Sequence, residues 1–119
     1  MLNDSCFFSE VYIAPGRTDM RRGIDGLSTI VKQQFRLDPF RKNVLFLFCG
    51  RKQDRIKGLV WDGDGFILLY KRIEAGRLQW PRTTEDVMSI SKKDFKLLMN
   101  GFAIIQESTI KEAAYSETA

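Results

Sequence analysis

The sequence predicts one α+β domain, a mainly antiparallel sheet with a central hairpin and two main helices. Three observations carry that reading. Val44 to Phe48 is apolar without alternation, the mark of a strand covered on both faces. Ile56 to Trp61 and Phe66 to Ile73 flank Asp62-Gly63-Asp64-Gly65, a hairpin signal because glycine readily adopts positive φ. Apolar stripes at helical spacing lie on both sides of these strands. A length of 119 residues suits a single core.

Glu10 to Ile13 reads as a short strand stopped by Pro15-Gly16. Thr18 is the expected N-cap of a helix ending near Arg36, with Asp19 favouring its positive dipole end. Met20, Ile24, Leu27, Val31 and Phe35 form its apolar stripe. Arg21, Asp25, Ser28, Lys32 and Arg36 fall on another face, which reads as solvated. Leu37-Asp38-Pro39-Phe40 breaks the helix, and Gly50 to Asp54 is a charged turn. Short extended pieces are expected at Arg77–Trp80 and Val87–Ile90. Ser91-Lys92-Lys93-Asp94 has capping-box spacing and opens a helix with Phe95, Leu98, Met99 and Phe102, stopped at Gly101. The division is a loose N-terminal segment over 1–9, a domain over 10–102 and a polar tail over 103–119.

The chain contains no histidine, which removes the commonest general base and metal ligand. Two cysteines, Cys6 and Cys49, make neither a zinc site nor a disulfide framework. The N-terminus lacks the basic region of a signal peptide, and no apolar run approaches the ~20 residues of a membrane span. A cytoplasmic setting with no membrane partner is therefore expected. The net charge of +4 conceals a basic middle: residues 17–96 carry 18 basic and 10 acidic side chains. Such a field attracts polyanions.

With Gly63-Asp64 as the turn, Trp61 faces Phe66, Leu59 faces Leu68 and Lys57 faces Tyr70. That face suits core packing; the same composition can also stack unpaired bases. Arg51, Lys52, Arg55 and Lys57 precede the hairpin turn, and Lys71, Arg72, Arg77 and Arg82 follow it. In this register Arg55 meets Arg72, a like-charge pair that needs solvent or an anion such as phosphate. The carboxylates Asp19, Asp25, Asp38, Asp54, Asp62, Asp64 and Glu74 show no spacing that singles out a two-metal triad. No Walker loop, nucleophile elbow or zinc-deaminase signature is present. Neither a catalytic residue, a metal ligand nor a cofactor is assigned.

Several motifs occur in a familiar order: Thr18-Asp19-Met20-Arg21-Arg22-Gly23-Ile24-Asp25-Gly26-Leu27, Asp54-Arg55-Ile56-Lys57, Trp61-Asp62-Gly63-Asp64-Gly65-Phe66, Tyr70-Lys71-Arg72 and Arg77-Leu78-Gln79-Trp80-Pro81. Over residues 10–102 the chain resembles the small TnpB accessory proteins, the second open reading frame of bacterial insertion sequences of group sixty-six. Cys49-Gly50 departs from a stretch often more basic in relatives, and Gln106 to Ala119 matches no family motif. The resemblance implies a helper of transposition beside a separate, larger transposase that carries the catalytic acidic triad.

The expected function is non-catalytic DNA binding through backbone phosphates, at element ends or without sequence preference. The residues expected to carry it are Arg21, Arg22, Arg51, Lys52, Arg55, Lys57, Lys71, Arg72, Arg77 and Arg82. The protein would be nucleoid-associated when bound. The alternative is a module that docks the transposase without significant DNA binding, by exposed aromatics such as Trp61 or Trp80 or by the free sheet edge. A homodimer is expected if the hairpin's apolar faces exceed what two helices can cover.

Overall fold

A computed structural model of the chain describes residues 8–82 and 88–99. Five strands form one sheet: β1 (Glu10–Ile13), β2 (Val44–Cys49), β3 (Arg55–Trp61), β4 (Phe66–Arg72) and β5 (Met88–Ile90). Their spatial order is β4-β3-β2-β1-β5. Only β1 and β2 run parallel; every other neighbouring pair is antiparallel. Helix α1 (Ile24–Thr29) continues as a π-helical segment, Ile30–Gln34, in the connection between β1 and β2. Helix α2 (Lys92–Met99) follows β5.

The central strand sets this arrangement. All six β2 residues are buried, because alternate side chains enter two different cores. Val44, Phe46 and Phe48 meet Leu27, Ile30 and Val31 of the helical connection, together with Leu59. Leu45, Leu47 and Cys49 enter the opposite core with Ile13, Ile56, Trp80, Phe95 and Leu98. The sheet thus lies between α1 on one face and α2 with the 78–80 segment on the other.

The hairpin has the register its sequence predicts: Trp61 opposes Phe66, Leu59 opposes Leu68, Lys57 opposes Tyr70 and Arg55 opposes Arg72. The Asp62 N–H donates to the Gly65 carbonyl at 3.1 Å, closing the Gly63-Asp64 turn, with Gly63 at φ +112. Its α1-facing side packs mainly into core: Leu59 is fully buried, and Phe66 and Leu68 pack beside it. Tyr70, 53% exposed, is the exception.

The first helix departs from expectation. It starts at Ile24 with Gly23 as N-cap, and Thr18 and Asp19 lie outside it. The Asp19 carboxylate accepts the Arg21 N–H at 2.9 Å, and the Thr18 N–H donates to the Cys49 carbonyl at 2.8 Å. A short acidic side chain thereby bonds its own backbone as a turn and competes with helix formation. The apolar stripe survives because Met20 packs on the same core from outside the helix. Residues four apart on an α-helix drift by about 40° per step. The wider π segment, with the Phe35 N–H on the Ile30 carbonyl at 3.2 Å, opposes that drift and keeps Phe35 over the core. Arg36, at φ 56, ends the helix in the left-handed region, and the Leu37 N–H closes onto the Val31 carbonyl at 3.0 Å.

Arg77–Trp80 is not a strand. Its polar groups bond a loop rather than a ladder: the Leu78 N–H donates to the Gln53 carbonyl at 2.7 Å and the Trp80 N–H to Gln53 Oε1 at 3.2 Å. Trp80 is not the exposed docking aromatic expected: its Nε1 donates to the Ala14 carbonyl at 2.8 Å, so its ring is buried with its donor satisfied. The expected β5 and the Ser91 cap are present; Ser91 Oγ accepts the Asp94 N–H at 3.1 Å. The predicted stop at Gly101 and the tail lie outside the described residues, as does most of segment 1–9. Phe8, at its end, is buried edge-on against Phe95 with ring centroids 6.2 Å apart.

Leu27→Ala should cost about 2–5 kcal/mol in urea unfolding, as expected for a void opened at a fully buried site. Exposed Gln33→Ala in the same segment should stay within about 0.5 kcal/mol. Trp80→Phe keeps most of the packing but removes the bond to Ala14, and should cost about 1–2 kcal/mol by the same measurement.

Candidate nucleic-acid interface

β1 and β2 are parallel, and β3 begins where β2 ends, so three connections leave from one end of the sheet. These are the segments over 14–23, 50–54 and 73–82. Short backbone bonds tie them together. The Gly16 N–H donates to the Pro81 carbonyl at 2.8 Å, and the Ile73 N–H to the Asp54 carbonyl at 2.6 Å. Gln53 is the hub, with φ 60. In that left-handed conformation it receives two N–H groups of the 78–80 segment, one on its carbonyl and one on its side-chain oxygen. Gly50 lets Met20 press against the turn: a Cβ there would lie 2.7 Å from Met20 Cγ.

Two adjoining clefts open between these loops. One, of about 550 Å³, is lined by Arg17, Arg21, Arg51, Lys52 and Arg55, with Asp19 and Asp54. The other, of about 490 Å³, is lined by Arg17, Arg51, Gln53, Trp80 and Arg82. Arg17, Gly50 and Arg51 line both. Among the described residues, Arg17, Arg51, Lys52, Arg55 and Arg82 form no ion pair within 4.0 Å. Five cations around two shared concavities, with little internal neutralisation, can hold an anion such as phosphate.

The ten basic residues picked from the sequence divide accordingly. Arg21, Arg51, Lys52, Arg55 and Arg82 converge on the clefts. Arg21 is partly spent, since its guanidinium grips Asp19 at 2.8 Å. That grip holds the Asp19 carboxyl well below the usual carboxylate range. Arg72 does oppose Arg55, but Glu74 neutralises it at 2.8 Å, so the chain supplies the anion that this like-charge pair needs. Lys57 turns toward the α1 face, donating to the Arg22 carbonyl at 2.8 Å and lying 5.7 Å from the Tyr70 ring centroid. The Arg22 stem packs on Gly26, with Cβ 3.2 Å from where a Gly26 Cβ would stand. Lys71, opposite Ile56, lies on the other face of the sheet, and exposed Arg77 lines neither cleft.

Arg17 was missed. Its signal was its place directly after the Pro15-Gly16 turn that ends β1, beside the strand ends already marked as basic. Gln53 was missed as well, and nothing in its local sequence distinguishes it. Beneath the clefts, burial pushes the Cys49 thiol up to about 12, with the Asp54 charge adding to the rise. No three His, Cys, Asp or Glu side chains converge to hold a metal ion among the described residues.

The family model described as IS66 Orf2 like protein matches residues 9–109. Two proteins of Sinorhizobium fredii are similar, each bearing the description uncharacterized protein. The one called y4hO is 37% identical over 91 residues, covering 76% of this chain and 78% of the relative. The one called y4jC is 32% identical over 91 residues, covering 76% and 77%. No solved structure gives a significant match.

The Cys49 environment predicts two outcomes. In a Cys6→Ser background the folded protein should resist iodoacetamide at mildly alkaline pH and react once unfolded, as read by mass spectrometry. The thiol ionises near its ordinary 9.0 in the unfolded chain and near 12 in the folded one. Its stabilising contribution is therefore complete below about pH 9 and is lost as pH rises through about 12. Cys49→Ala should flatten that part of the stability curve.

Proposed function

This chain belongs to the family of IS66 Orf2-like proteins, and from that premise we propose a non-catalytic accessory protein of transposition that binds DNA through its backbone phosphates. Family membership supports the accessory role in transposition. The observation that carries the DNA reading is the pair of clefts sharing Arg17 and Arg51, with Lys52, Arg55 and Arg82 around them. Arginine's planar fork matches the phosphate oxygens, and loops anchored through Gln53 and Trp80 hold those forks at the rim of a rigid sheet. Such contacts position a duplex without reading its bases, so element ends and random DNA are bound alike unless a second component supplies sequence. In this reading that component is the separate transposase, which also performs the chemistry. The protein acts in the cytoplasm, on the nucleoid.

A second reading is favoured by a different observation. At the opposite end of the sheet Phe40 is 45% exposed, with its ring 5.1 Å from both Trp61 and Phe66 and Lys32 5.2 Å from its centroid. An exposed aromatic cluster of this kind supports docking of the transposase with little or no DNA contact.

Fluorescence anisotropy with duplex DNA across a salt series separates the two readings. Phosphate binding predicts a steep fall of log K with log salt. Arg51→Glu and Arg82→Glu should weaken all sequences about equally and lower the slope by about 1 each. Arg55→Glu should weaken binding more than Arg72→Glu, because Arg72 is already paired with Glu74. Affinity that stays flat with salt would sink the proposal. Capture of the transposase that survives nuclease, together with absent DNA binding, would establish the second reading.

A further inference from the structure

The two edges of the sheet differ. β5 is three residues long, whereas β4 runs for seven and contains neither proline nor glycine. Edge strands are normally blunted by shortness, prolines, bulges or inward charges. β4 has charges only at its end, at Lys71 and Arg72, and it leaves Ile67 37% exposed and Tyr70 53% exposed. Among the described residues no strand lies on the side of β4 away from β3.

The phase of its hydrogen bonds shows which groups face that edge. The Asp62 N–H donates to the Gly65 carbonyl and the Ile73 N–H to the Asp54 carbonyl, so both of these opposed pairs are of the hydrogen-bonded kind. Antiparallel alternation then makes Val60–Ile67, Gly58–Leu69 and Ile56–Lys71 hydrogen-bonded pairs too. The N–H and C=O groups of Phe66, Leu68, Tyr70 and Arg72 consequently point away from β3.

We infer that β4 pairs antiparallel with β4 of a second copy about a two-fold axis at Leu69, so that one sheet runs through both chains. Of the symmetric registers, this alone pairs all four outward-facing residues: Phe66 with the partner's Arg72, and Leu68 with the partner's Tyr70. A slide of the axis to Leu68 or to Tyr70 strands Arg72 or Phe66 respectively. The same register keeps like charges apart. Arg72 meets an aromatic ring, a favourable cation–π placement, and Lys71 meets the partner's Ile67. An axis perpendicular to the sheet preserves its faces, so the helix layers of the two copies continue on the same sides. The apolar first half of β4 covers the basic second half of its copy, and this self-complementarity favours a second chain over a foreign strand. The inference does not depend on the DNA-binding reading.

Sedimentation velocity on the full chain tests it, with a dimer expected at micromolar concentration. Ile67→Lys sets a lysine against the partner's Lys71, twice by symmetry, and should raise the dimer Kd roughly threefold to thirtyfold. Ile67→Glu sets a carboxylate there and should leave the Kd unchanged or lower it. Far-UV circular dichroism and urea midpoints show that both variants fold. Leu69→Cys with Cys6→Ser should form an intermolecular disulfide on mild oxidation, because a non-hydrogen-bonded pair brings the two Cα atoms to about 4.5 Å. A monomer at every concentration up to the high-micromolar range overturns the inference, whether a foreign strand or the chain's own tail covers β4. An equal response of the dimer to the two Ile67 variants overturns it as well.

Discussion

The burial of β2 on both faces is the constraint from which the rest of the molecule follows. Six consecutive buried residues can be kept from water only if something covers each side of the sheet. Each fully buried large side chain contributes roughly 1.5–3 kcal/mol relative to exposure, so neither cover is dispensable. The helical connection between β1 and β2 shields Phe46 and Phe48, while α2, Trp80 and Leu78 shield Leu45 and Leu47. Placing that helical connection over one face in turn makes β1 and β2 parallel neighbours. The crossover brings the ends of β1 and β2 out at one end of the sheet.

That shared end is where fold becomes chemistry. Loops that would wander separately are stitched by Gln53, Trp80 and the Gly16–Pro81 bond, so the arginines at their tips stand on a braced rim. Charge alone is a poor guide to which of them remain available. Arg21 and Arg72 are equally basic in the sequence, yet each is held by a carboxylate two residues away in the chain. Arg51 and Arg82 have no such neighbour within 4.0 Å among the described residues. The opposite end of the sheet is built on different chemistry, an aromatic cluster around Phe40.

Much of the architecture was legible because it depends on local pattern. Alternation and the Asp-Gly-Asp-Gly turn determine the hairpin register, since a slip of one residue would turn Leu59 and Leu68 out of the core. Continuous apolarity marks β2 in the same way. The errors arose where a short polar side chain had two local choices. Asp19 could have served a helix start, but it bonds Arg21 as a turn, and Thr18 is tied to Cys49 thirty-one positions further along the chain. Arg77–Trp80 has strand-like composition, yet its backbone bonds the Gln53 loop, a partner that no periodicity announces.

By itself the sequence determined the α+β class, the doubly covered strand, the hairpin register and a basic middle, all of which follow from spacing and composition within a few residues. The tertiary structure alone decided which cations share a cleft, which are silenced by acids, that Arg17 joins them, and that β4 is left at an edge. Those outcomes depend on contacts between segments far apart in the chain. Long-range proximity is created only when burying the two faces of β2 forces the connections together at one end of the sheet.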